Sequence, residues 1–124
     1  MGSFKTYDEE TGEFSQYPYV TVKKTENVKI VVSTGLYKNA KPIELAHSAN
    51  SVYAVKDYDG TIKNINVFDE NKKKVCQIDL DHYHNKMKPH VHVFGKNDKY
   101  HSNDVREPSQ YELHLIKIAK EATK

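Results

Sequence analysis

The amino-acid sequence predicts an α+β fold, an antiparallel β-sheet meander with a C-terminal helix packed on one face. Three observations carry this: short β-branched runs recur between residues 19 and 94, turn-forming residues punctuate them, and one apolar stripe at helical spacing closes the chain.

Residues 4–18, FKTYDEETGEFSQYP, are acidic and turn-forming with no apolar period, and are expected to form a lead-in (1–18) to a single domain spanning 19–124. YVTVKK and VKIVVS then read as two strands joined by a tight connection at Thr25, Glu26 and Asn27. In the looser stretch that follows, residues 42–47 form a candidate short helix with Pro42 in its first turn. SVYAVK and TIKNINVF flank an Asp59-Gly60 turn, because glycine supplies the positive φ that such hairpins need. A second turn at Asp69, Glu70, Asn71 and Lys72 leads into KVCQIDLDHYH, and a loop over 85–89 leads into HVHVF. Four consecutive strands with short links imply antiparallel neighbours. Residues 97–107 read as polar and irregular. Ser109 and Glu112 then have the spacing of a capping box, and Tyr111, Leu115, Ile118, Ala119 and Ala122 repeat at helical period.

Composition bounds the function. A chain of 124 residues suits one domain that buries a modest core. The net charge of +2 permits contact with a polyanion without demanding it. One cysteine excludes an internal disulfide and favours a reducing compartment, and Cys76 falls on an apolar face as a core residue. No apolar run approaches the roughly 20 residues of a membrane-spanning helix. Met1-Gly2-Ser3 carries no basic-plus-apolar signal and reads as an expression remnant ahead of an excised domain.

The histidine-dense segment over 79–94 is the candidate working part. Side chains alternate along a strand, so Cys76, Ile78, Leu80, His82 and His84 share one face, while Val75, Gln77, Asp79, Asp81 and Tyr83 share the other. If the loop 85–89 closes the hairpin, His84 lies opposite His90 and His82 opposite His92, and four imidazoles share one patch. In that register both aspartates point away from the histidines.

Two chemistries fit. The first is metal-free acid–base cleavage of a phosphodiester by His82, His84, His90 and His92, since imidazole titrates near neutrality. Lys86, Lys88 and Arg106 are then the cations that stabilise charge on phosphorus, and Tyr83, with Tyr100, offers a ring for base stacking. The second is a zinc site of three imidazoles, with Asp79 or Asp81 as an oxygen donor or as a support to the ligands. His47 and Ser48 are weaker candidates, His114 reads as a boundary residue of the helix, and Lys72-Lys73-Lys74 reads as a solvated turn.

The stretch over 58–94, YDGTIKNINVFDENKKKVCQIDLDHYHNKMKPHVHVF, with its Ile-Asp, its histidines and its Pro-His-Val-His ending, resembles ribonuclease-type C-terminal domains of bacterial polymorphic toxins. The resemblance implies a compact ribonuclease with a small antiparallel sheet and helices packed on it, whose catalytic roles fall on His82, His84, His90 and His92; of the two chemistries the metal-free one is expected, with no cofactor and zinc as the alternative. It also implies RNA as substrate, a cognate immunity protein as partner, and action in a bacterial cytoplasm after delivery within a larger protein. The rival reading is a non-catalytic binding module, such as a phage-encoded inhibitor or accessory protein, with structural or metal-holding histidines.

Overall fold

The computed structural model describes residues 2–8, 13–33, 48–57, 59–80, 88–94 and 104–123. Among the described residues, eight strands form one sheet in chain order: β1 (Gly2–Asp8), β2 (Glu13–Thr25), β3 (Val28–Ser33), β4 (Val52–Lys56), β5 (Ile62–Phe68), β6 (Lys74–Asp79), β7 (His90–Val93) and β8 (Asp104–Arg106). Helix α1 (Gln110–Ala122) packs on one face. The α+β class and the C-terminal helix therefore stand.

Local chemistry explains the turns. Gly60 adopts φ 91° in the β4–β5 turn, where the Asp57 N–H donates to Thr61 O at 2.8 Å. Between β5 and β6 the Asp69 carboxylate accepts from the Asn71 and Lys73 N–H groups at 2.8 and 2.9 Å, so its side chain builds the turn. At the helix start, Ser109 and Glu112 form the reciprocal capping box.

Three features depart from the sequence reading. Residues expected as a turn-forming lead-in form β1 and the first half of β2, paired from Gly2↔Tyr19 to Asp8↔Glu13. Residues 104–106, expected to be irregular, add an eighth strand on β7. The meander is broken once, because β3 and β4 run parallel. Parallel neighbours need a long crossover, which here runs through 34–51; the candidate helix at 42–47 lies in that link, outside the described residues.

Register sorts the side chains into two faces. Across β3 to β7 one row reads Ile30, Ala54, Ile65, Ile78 and Val91, and a parallel row reads Val28, Val52, Val67, Cys76 and Val93. Against these rows α1 buries Leu115, Ile116, Ile118 and Ala119, which closes the main core. Leu80 and Val67 pack at its edge, and Cys76 is buried in it as expected. Tyr111 and His114, by contrast, are exposed.

The opposite face is different in kind. Its rows read Val31, Val55, Asn64, Asp79 and His90, and Lys29, Tyr53, Asn66, Gln77 and His92. Asn64, Asn66, Asp79 and His90 are all buried. Burying polar groups is costly unless they are paired, so this face is organised by hydrogen bonds.

Candidate metal centre

The site is built where β6 ends and β7 begins. Asp79 is the last residue of β6, and His90 is its direct cross-strand partner at the start of β7. His92 follows two residues later, so alternation returns its ring to the same face. The Nε2 atoms of His90 and His92 lie 3.1 Å apart. Asp79 Oδ2 lies 3.2 Å from the first and 2.9 Å from the second. The rings meet edge to face, with centroids 4.8 Å apart. His90 is fully buried, while the His92 side chain keeps 20% of its surface, so the cluster reaches solvent through His92.

The carboxylate is held from behind. Gln77 Nε2 donates to Asp79 Oδ1 at 2.9 Å, which leaves Oδ2 to the histidines. Gln77 Oε1 in turn accepts from Lys74 Nζ, whose ammonium also lies 5.2 Å from the centre of the Phe94 ring. Next to this chain, Asn66 Nδ2 donates to Asn64 Oδ1 at 2.8 Å, and Asn64 is the β5 partner of Asp79. Burial works against ionisation of Asp79. The hydrogen bonds from His92 and Gln77 and the charges of the two imidazoles outweigh it, holding the carboxyl below its ordinary value.

This geometry corrects the expected register. His90 pairs with Asp79, where the sequence reading paired it with His84, a shift of 84 − 79 = 5 residues. An odd shift turns every side chain of one strand to the other face of its partner. The connection between the strands spans 80–89 and not 85–89, so the parity argument that sent Asp79 away from the histidines fails. Asp79, His90 and His92 are close enough together to hold a metal ion.

The remaining candidates fall in several places. His82, His84, Tyr83, Lys86, Tyr100, Asp81 and His47 lie outside the described residues. Ser48 accepts from Lys29 Nζ at 3.5 Å and supports Ser51 through its carbonyl. Lys88 is exposed beside Pro89 and lines a recess on the helix side of the sheet end. Arg106 does not serve the histidines. Its β7 partner is Val91, on the helix face, and its guanidinium grips Glu112 with bonds of 2.6 and 2.8 Å. Lys74, expected in a solvated turn, is buried. Sequence reasoning missed Gln77 and the Asn64–Asn66 pair. The signal was the alternation Asn64-Ile65-Asn66, which marks a polar face behind an apolar one.

Comparison with protein-family models, with curated proteins and with solved structures returned no match.

Proposed function

We propose that Asp79, His90 and His92 hold a divalent transition metal and that the chain is a metal-assisted ribonuclease. One observation carries the metal: three ligand atoms from three side chains converge to within 2.9–3.2 Å of one another. Donors bound at about 2.0–2.2 Å stand roughly 2.8–3.1 Å apart around an octahedral ion and roughly 3.3–3.6 Å apart around a tetrahedral one, so the triangle is close to the size of an octahedral face. Two histidines and one carboxylate are a recurrent set for Zn²⁺ and Fe²⁺, and with three protein ligands they leave coordination positions for water and substrate. The Gln77 bond to Asp79 is the outer support that such ligands generally have. An ion held there supplies Lewis acidity toward a phosphoryl oxygen and acidifies water.

RNA as substrate rests on the resemblance of residues 58–94 to toxin ribonucleases. On the same ground the domain acts in a bacterial cytoplasm and is neutralised there by a cognate immunity protein. A metal-free version has its own support in the 2.9 Å contact of His92 with Asp79, an arrangement that orients an imidazole for proton transfer. Convergence of both Nε2 atoms on one carboxylate oxygen favours the metal.

The deciding experiment incubates purified protein with tRNA and rRNA, with chelator and with added Zn²⁺, Mn²⁺ or Co²⁺. Cleavage that is stopped by chelator, restored by one of these ions and lost in Asp79→Asn is the expected result. Cleavage indifferent to chelator returns the site to acid–base catalysis, and intact RNA under every condition ends the ribonuclease reading.

A further inference from the structure

A second concave site lies on the helix side of the same strand ends. Its volume is about 460 Å³, within the roughly 300–1,000 Å³ range of small-ligand clefts. Ile62 and Leu80 form an apolar floor, and Lys63, Lys88 and Lys120 stand around it with Thr61. These residues come from separate parts of the chain: the start of β5 with the turn before it, both ends of the β6–β7 connection, and the last turn of α1. Lys63 is positioned from the turn by Asp59, 3.6 Å from its ammonium, and Asp59 is itself fixed by the Thr61 hydroxyl at 2.6 Å.

The recess adjoins the metal centre along the backbone. Leu80 follows Asp79 directly and its N–H donates to Lys63 O at 3.0 Å, while Lys88 stands two residues before His90. An apolar floor under a rim of lysines matches a ligand with one flat or apolar part and one anionic part. A duplex is too broad and stiff to enter a recess of this size. A nucleotide unit of a single strand has both parts and fits it.

We propose that this recess binds one nucleotide unit of single-stranded RNA, with phosphate on Lys63, Lys88 and Lys120 and base or sugar on Ile62 and Leu80. The proposal deepens the ribonuclease reading, on which it rests for the identity of the polyanion, by naming where substrate is held beyond the reacting centre. Lysine contacts to phosphate give affinity with little sequence preference, which suits a holding site.

The test measures binding of labelled oligouridine to the full chain by fluorescence anisotropy at several salt concentrations, without divalent metal. Omitting metal keeps the result independent of the centre at Asp79. In Lys63→Gln/Lys88→Gln/Lys120→Gln the affinity should fall about tenfold or more, and the salt slope should shrink by about 0.7, the value for one single-strand phosphate neutralised. A charge-matched control, Lys24→Gln/Lys72→Gln/Lys73→Gln, changes only exposed lysines away from the recess and should bind within about twofold of the unaltered protein. An equal loss in the control, equal binding of polyglutamate, or no oligouridine binding by the unaltered protein overturns the proposal. Each of these outcomes leaves the metal-binding result at Asp79 unaffected.

Discussion

Two ionic clusters, each built on a buried carboxylate, lie back to back across β6 to β8, and they differ in what their acceptors face. On the helix side, Glu112 takes both arms of Arg106, the Ser109 N–H at 2.8 Å and the Cys76 thiol at 3.5 Å. Every bond there is spent on protein donors, and the cluster ties β6, β8 and the first turn of α1 together. On the other side, Asp79 is fixed through one oxygen, while its second oxygen and two imidazole nitrogens crowd toward a common point. Both carboxylates are buried and both lie below their ordinary pKa. What separates a structural cluster from a candidate site is therefore direction: the first closes on itself and the second converges donors on a shared position.

The largest effect is expected in the core beneath the helix-side cluster. Leu115 is fully buried against β3 to β7, so Leu115→Ala should cost about 2–5 kcal/mol in a denaturant melt. A melt that does not move means that α1 is not docked as described.

Glu112 comes next. Burial works against its charge, but Arg106 and the Ser109 N–H more than compensate and hold its pKa at about 2 against an ordinary 4.5. A carboxyl depressed on folding contributes stability that is complete above its unfolded value and is lost as pH falls through the folded one. Stability should therefore decline between pH 4.5 and about 2. Glu112→Gln should lower stability at neutral pH by about 2–3 kcal/mol, remove much of that decline, and leave metal binding intact. Weakened metal binding in this variant would join the two clusters and erase the distinction. The same surroundings push the Cys76 thiol up to about 12, through burial first and the Glu112 charge second, so thiol reagents should modify it slowly at neutral pH.

The smallest effect sharpens the other side. Gln77 touches Asp79 without being able to reach the converging atoms by its bonded nitrogen, so Gln77→Leu should weaken metal affinity by about 10–100-fold through lost orientation of the carboxylate. Gln77→Glu places a second charge behind the first and should fail to restore it. Full affinity in Gln77→Leu would show that Asp79 needs no support.

Much of the fold is legible in the sequence because its signals are local. Asp59-Gly60, the Asx turn at Asp69 and the Ser109–Glu112 box each declare themselves within a few residues, and β4, β5, β7 and α1 follow from them. The parallel pairing of β3 with β4 is non-local, and nothing within either strand announces it. The β1–β2 hairpin escapes notice because its residues are acidic and turn-forming with no apolar period. Half of the site was legible as well: His90-Val91-His92 is a strand pattern whose spacing puts both rings on one face. Its carboxylate was not, because the face of Asp79 relative to those rings depends on the length of the connection between β6 and β7. Arg106 shows the complementary limit. Its place before the helix suggested a phosphate contact, yet capping geometry had already placed Glu112 within its reach.

Whether Asp79, His90 and His92 bind metal as one unit is decided by cobalt titration. Co²⁺ reports its coordination through visible absorption and accepts the same nitrogen and oxygen donors as Zn²⁺. Saturation near one Co²⁺ per chain is expected, with displacement by Zn²⁺, a loss of affinity of about 100-fold or more in both Asp79→Asn and His92→Gln, and zinc raising the melting temperature only of the unaltered protein. Cobalt binding of the same strength and spectrum in all three proteins, or no binding to any of them, would contradict it.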